Sequence, residues 1–426
     1  MPRHLIPRLV FADASGRIYD HPDLLMLTRR GEELALPRPG EVMPLPPESE
    51  LFVLPGRKPV GLDPETGQAE APSGEGEQAV AAFVCPGHTA TGVAAYLKSP
   101  DAPTLPMFSY AAVGFAEGKL WVCTKKVDED RRQVFAGIPR ERIAKGAQRL
   151  LAAYPKNRLM AHLATCALTY CCPAARNLAL GRYEAPLPTA RTCNARCLGC
   201  LSEQPADSGF PATQKRISFA PDPKEIVEVM AEHCRREKRP ILSFGQGCEG
   251  EPLTEAKAIA EAVAAFRKAG GPGTVNVNTN ASLPEGVARI AKAGADSIRV
   301  SLVSARPGLY ADYYRPRGYG FGDVAESIRT AKAAGLWVSL NLIFFPGVTD
   351  TEEELAALTD LVAAHQVDFI QLRNLNLDPD LYLDLAARHP GGPAMGLAHF
   401  RKRLKKACPW LEYGYFNPFL LGGKRA

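Results

Sequence analysis

PLPTARTCNARCLGC, residues 186–200, is the stretch on which the reading of this chain turns. A strand-like run from Pro188 leads into Cys193. Cys197 and Cys200 complete a CxxxCxxC spacing. From this point the chain becomes regular. Short apolar runs that read as strands fall at 241–245, 274–280, 297–303, 336–345 and 369–375. Helix-like segments alternate with them at 222–238, 254–270, 284–294, 321–335, 351–366 and 396–407. Asp222 and Thr254 are suited as N-caps, Pro223 to a first helical position, and Gly270 to a C-terminal stop. Strands alternating with helices at this spacing predict parallel βα units. Six strands and six helices make three-quarters of a (β/α)8 barrel. The fold class expected is therefore α/β: a partial (β/α)6 TIM-like barrel with an N-terminal, β-rich or mixed accessory domain.

In parallel barrels, chemistry sits on the loops that follow the strands. Here those loops are the cysteine loop, then GQGCEGEP, NTNAS, SARPGLYADYYRPRGY and PGVTD. The unusual residues all fall on one predicted rim. Three thiolates on a short loop can hold three irons of a cubane cluster and leave the fourth iron open. A zinc site normally takes four protein ligands at paired spacing. No matching pair follows, although Cys234 and Cys248 could complete one.

CxxxCxxC after the first strand of a βα barrel resembles the radical SAM superfamily, over roughly residues 186–380. The resemblance implies a 4Fe–4S cluster on Cys193, Cys197 and Cys200, with S-adenosylmethionine (SAM) on the open iron. It further implies one-electron cleavage of SAM to a 5′-deoxyadenosyl radical that abstracts hydrogen from a substrate. Glu249-Gly250-Glu251-Pro252 looks like the GGEP motif that holds the SAM amino group, carried over on Gly250 and Glu251. Thr279-Asn280-Ala281 resembles the TNG turn, with Ala for Gly. Ser301 resembles the serine of the VSLD strand end, whose Asp is here Val303. Asn341 and Arg373, ending or lining later strands, join this set of SAM contacts. Asn374 and Asn376 stand beside Arg373 as ligand contacts or loop anchors. Gly199 departs from the family, which often has an aromatic residue before the third cysteine. No residue is assigned to the hydrogen abstraction itself. The resemblance implies an electron donor such as flavodoxin or ferredoxin.

The rest of the chain is less legible. It has 426 residues, 46% hydrophobic and 23% charged, with a formal charge of +5. That charge is too diffuse to indicate nucleic acid. No apolar run is long enough to span a bilayer and no signal peptide is apparent, so a cytoplasmic protein is expected. Residues 1–160 read as the accessory domain, 161–185 as a cysteine-containing connector, 186–380 as the barrel and 381–426 as a C-terminal helix and tail. Strands are expected near 8–11, 51–54 and 119–124, an exposed loop at 62–78, and a helix at 139–153. Eleven cysteines is a high count for a chain without secretory features. Cys166, Cys171 and Cys172 can be an auxiliary iron–sulfur site, completed by Cys85 or Cys123, or buried small apolar side chains. The loop 306–319, with Tyr310, Tyr313, Tyr314, Arg315, Arg317 and Tyr319, can recognise a planar or anionic substrate or simply pack. The basic run Arg401–Lys406 reads as a solvated helix face. The apolar tail 416–421 is expected to pack on the barrel. A non-catalytic iron–sulfur or zinc module is the alternative function, and RNA- or peptide-modifying chemistry is the alternative within the family.

Overall fold

The computed structural model describes residues 5–425. The N-terminal part is an antiparallel sheet. Arg8–Ala12 lies between Ile18–Met26 and Gln78–Phe83 and also meets Ala111–Ala116. Glu50–Leu54 and Lys119–Lys126 extend it. Its core is built from small and β-branched side chains, among them Val10, Ala12, Val80, Ala82, Val113 and Val122. The predicted strands near 8, 51 and 119 are all present. The polar stretch 62–78 is largely irregular, with a two-residue strand, Ala69–Glu70, exposed on its edge.

Three helices follow: α1 (Arg140–Ala153), α2 (Arg158–Leu168) and α3 (Pro173–Leu180). Asn157 caps α2 by accepting from the Met160 N–H at 2.8 Å. Gly181, at φ 66°, ends α3 in the left-handed conformation.

The second half is a seven-stranded parallel sheet. In chain order its strands are β1 (Glu184–Pro186), β2 (Ile241–Phe244), β3 (Thr274–Thr279), β4 (Ser297–Leu302), β5 (Trp337–Phe344), β6 (Phe369–Asn374) and β7 (Glu412–Gly414). Each strand pairs with the next. The helices between them are α4 (Pro223–Cys234), α5 (Ala256–Lys268), α6 (Pro284–Ala293), α7 (Pro307–Tyr314), α8 (Phe321–Ala333), α9 (Glu352–His365), α10 (Pro379–Ala386) and α11 (Leu397–Ala407). Two expectations are corrected. The first strand is Glu184–Pro186, and residues 187–192 are not in a strand. Pro186 and Pro188 have no N–H to give a ladder, and only Leu187 still donates to Ser243 at 2.8 Å. The sheet has seven strands rather than six, because the short β7 carries too few apolar residues to announce itself.

Strand side chains alternate between two chemically different faces. Leu242, Phe244, Val275, Val277, Ile298, Val300, Leu340 and Leu342 are buried beneath the helices. The other face is polar: Ser243, Asn276 and Asn278, then Arg299, Ser301, Asn341, Gln371 and Arg373. The parallel registers place these on one side, for example Asn278 opposite Arg299 and Ser301 opposite Asn341. The tail packs into the sheet as expected. The Asn417 amide donates to Glu184 at 2.7 Å and its oxygen accepts from Gln371 at 2.9 Å. The Leu420 N–H donates to Thr274 at 2.8 Å. The basic run behaves as expected for a helix surface: Arg403 pairs with Glu352, and Lys405 donates to the Leu411 carbonyl at 2.6 Å. Among the described residues, no helix is long and apolar enough to cross a membrane.

Candidate functional site

Cys193, Cys197 and Cys200 lie on the loop after β1, half-buried and without a disulfide. Hydrogen bonds from three other strand-end loops fix that loop. From the loop after β2, the Gly250 N–H donates to Ala190 at 2.7 Å and the Glu251 N–H to Thr192 at 2.9 Å. From the loop after β4, Tyr314 and Tyr313 offer carbonyls to the Arg196 and Leu198 N–H groups at 3.0 and 2.9 Å. The Arg317 N–H reaches the Asn194 carbonyl at 2.8 Å. The Asn280 side chain, on the loop after β3, donates to Asn194 at 2.9 Å. The aromatic and arginine-rich loop is thus a packed support. Tyr310, Tyr313 and Tyr314 are buried, and the carbonyls of Tyr313 and Tyr314 hold the cysteine loop, while the Arg315 and Arg317 side chains are exposed.

Gly199 and Gly250 are set by close approach. A Cβ on Gly199 would stand 2.8 Å from the Tyr313 hydroxyl. A Cβ on Gly250 would stand 1.9 Å from the Thr192 carbonyl oxygen. Gly250→Ala is therefore expected to push the cysteine loop outward. It should lower stability by about 1–3 kcal/mol, the usual cost of overpacking, and reduce the iron retained on reconstitution, read by iron assay alongside thermal melting.

Glu251 is 3% exposed. Its carboxylate accepts from the Leu253 N–H at 3.0 Å, from the Asn280 N–H at 2.8 Å and from the Thr279 hydroxyl. Burial pushes it up to about 7 in spite of those three donors. It ties the loop after β2 to the turn after β3. Ala281, standing where a glycine is usual in such a turn, has φ 57°, a conformation that costs a residue with a Cβ roughly 1–2 kcal/mol. Glu249 does a similar job for the approach to the cysteines, accepting from Thr189, Ala190 and Gln246 N–H groups at 2.8, 2.9 and 2.7 Å.

Ser301 and Asn341 are neighbours across β4 and β5. The Asn341 side-chain oxygen is buried and without a partner. Arg373 faces the same side but leans on the C-terminal segment: it donates to the Tyr415 carbonyl at 3.0 Å and its guanidinium lies 4.1 Å from the Tyr415 ring centroid. Asn374 points the opposite way and anchors the N-terminal sheet, accepting from the Ala90 N–H at 2.8 Å and donating to the His88 carbonyl at 3.0 Å. Strand alternation explains that divergence. Arg299 was not anticipated. It reaches Gln371 at 3.2 Å, its Nε has no partner, and burial together with the Arg373 charge pushes it down to about 9. Arg216, equally unforeseen, approaches the Cys200 sulfur at 3.6 Å.

The three cysteines suit an iron–sulfur cluster by donor chemistry: three free thiols converge on one braced loop, and burial raises Cys193 to about 11 and Cys197 further. A bound metal would hold them as thiolates. The other cysteines divide differently from expectation. Cys123 is fully buried in the N-terminal sheet and Cys85 neighbours His88 at 3.3 Å; neither joins Cys166. Cys166 instead meets His162 and Cys248. Cys408 is fully buried after α11.

Residues 187–359 match the family model described as the radical SAM superfamily. GTP 3′,8-cyclase of Rhodobacter capsulatus is 31% identical over 189 residues, which are 42% of this chain and 50% of that protein. The chain thus spans about half the length of that relative. A radical SAM methyltransferase from Sphaerobacter thermophilus aligns with a TM-score of 0.38 at 16% identity, covering 54% of this chain and 66% of that one. SuiB of Streptococcus suis bound to S-adenosylmethionine aligns with a TM-score of 0.38 at 12% identity, covering 75% and 73%. The family brings a 4Fe–4S cluster and S-adenosylmethionine as its cofactors. Over residues 187–359, this chain is similar to the radical SAM superfamily.

Proposed function

We propose that this chain is a radical SAM enzyme whose substrate bears an anionic group. Cys193, Cys197 and Cys200 would hold three irons of the cluster, leaving the fourth for SAM. When bound and reduced, these cofactors supply a 5′-deoxyadenosyl radical for hydrogen abstraction. The single observation that carries the reading is the convergence of loops from β2, β3 and β4 on the cysteine loop by short hydrogen bonds. Gly250 allows that approach, and Glu251 and Asn280 hold the second and third loops in register with it. Ser301 and the unpartnered oxygen of Asn341 offer polar contacts for SAM on the sheet's polar face, with Arg373 at its margin. A flavodoxin or ferredoxin is the fitting electron donor. Residues 1–160 would form an accessory domain that covers the site.

The sheet is best understood as a partial barrel. Adjacent strands lie roughly 4.8 Å apart, so β1 and β6 of a flat sheet would be about 24 Å apart. One Asn417 side chain nevertheless bonds Glu184 on β1 and Gln371 on β6. A strongly curled sheet would account for this contact, which supports the partial-barrel reading.

Reduced protein incubated with SAM without oxygen should yield 5′-deoxyadenosine and methionine. An intact, reduced cluster without turnover would favour a non-catalytic iron–sulfur module. The anionic substrate is supported by two neighbouring cations, Arg299 and Arg373, half-buried on the sheet's polar face with Glu184 as the nearby counter-charge. An unpaired buried charge is costly, and such cost is commonly kept for function. Arg299→Met should therefore stabilise the protein, by about 1–2 kcal/mol, in urea unfolding. A destabilised variant would make Arg299 a structural residue.

A further inference from the structure

His162 and Cys166 are one turn apart on α2 and share a face. The His162 Nε2 and the Cys166 Sγ are 3.4 Å apart. Cys248 comes from the loop after β2, 82 residues on from Cys166, and its sulfur completes a trio of ligand atoms within 4.8 Å of one another. Cys166 and Cys248 are buried. Cys172 packs in the same cluster, and its N–H donates to the Cys166 carbonyl at 3.0 Å.

We propose that His162, Cys166 and Cys248 form a second metal site that takes a single zinc-like divalent ion. Spacing decides the class. A tetrahedron with bonds of about 2.3 Å to sulfur and about 2.0–2.1 Å to nitrogen puts ligand atoms roughly 3.5 Å apart. The His162–Cys166 pair, at 3.4 Å, matches that edge, and the Cys248 sulfur lies within 4.8 Å of both. Thiolates that serve separate irons of a cubane must instead diverge toward its corners, so the auxiliary cluster expected around Cys166 gives way to a mononuclear site. Thiolate and imidazole together suit zinc, with Cys172 at hand as a fourth donor.

The site sits outside the three-cysteine loop but connects to it. Cys248 directly precedes Glu249, whose carboxylate holds Thr189 and Ala190 on the approach to Cys193. A metal there would clamp α2, which precedes the radical SAM domain, to the loop that supports the cluster cysteines.

Zinc and iron measured together on the full, anaerobically reconstituted chain test this. One zinc per chain is expected beside about four irons. Cys166→Ser and Cys248→Ser should each lose the zinc and keep the iron. Cys193→Ala should do the reverse, so failure of this site and failure of the cluster assignment are separate results. His162→Ala should lose zinc and His162→Cys should retain it, which distinguishes ligation from misfolding. Cobalt(II) loaded in place of zinc should show the intense visible bands of tetrahedral thiolate ligation. The proposal is overturned by a zinc-supplied wild type that holds none, by zinc that survives Cys166→Ser, by a Cys166–Cys248 disulfide in the anaerobic protein, or by about eight irons falling to four in Cys248→Ser.

Discussion

Cys197→Ala is expected to reduce 5′-deoxyadenosine formation to background and to strip the protein of its cluster iron. Cys197 is the middle one of the three proposed ligands, and its carbonyl accepts the Cys200 N–H at 3.2 Å. A cubane held by three thiolates has no spare protein ligand, so losing one leaves two irons unprotected. Neighbouring groups cannot substitute: Arg216 is a cation, and the Cys200 sulfur already faces it. Cys234→Ala is the matched control. That thiol sits on α4 beside the Pro272 carbonyl, away from the loop, and its loss should leave iron and turnover unchanged. Iron content, the cluster's visible absorption and SAM turnover, measured on both variants, check the expectation. Activity in Cys197→Ala would refute the ligand set.

Asp378→Ala is expected to destabilise the protein by about 3–5 kcal/mol, read as a lower urea midpoint at unchanged slope. Arg57, from the N-terminal sheet, is fully buried. It donates to Asp378 at 2.8 Å and to the carbonyls of Pro55 and Pro103 at 3.0 Å each. Asp378 also accepts from the Leu105 N–H at 2.7 Å and caps α10 by accepting from Asp380 at 2.9 Å. Removing it leaves a buried guanidinium without its partner, with Asp380 3.6 Å away as the remaining carboxylate. The double replacement Arg57→Met with Asp378→Leu should recover much of the loss, because it removes both charges. A single variant within 1 kcal/mol of wild type would show that this pair does not hold the N-terminal sheet to the parallel one.

Much of the parallel sheet was legible because its causes are local. Alternating side chains on β2 to β6, proline at helix starts and the glycine stops mark elements whose physics lies within a few residues. Four helices, α2 among them, and the last strand of the parallel sheet escaped notice for the same reason. α7 (Pro307–Tyr314) is rich in tyrosine, with no apolar stripe apart from its aromatics. α10 is only eight residues long. α3 was hidden in a cysteine-rich stretch, and β7 is three residues long.

The site divides along the same line. The spacing of Cys193, Cys197 and Cys200, and their place at the head of a βα series, were determined by sequence alone: a loop must offer its thiols at short intervals to reach one cluster. Only the tertiary structure decided which neighbours serve them. It turned Asn374 toward Ala90 and Arg373 toward Tyr415, filled the Glu251 carboxylate with Thr279 and Asn280, and brought Cys248 to His162 and Cys166. Those pairings join residues from about 30 to nearly 290 positions apart. Hydrogen-bond reach is about 3 Å, so such partners are chosen by how helices and strands pack, and no local pattern in the chain records that choice.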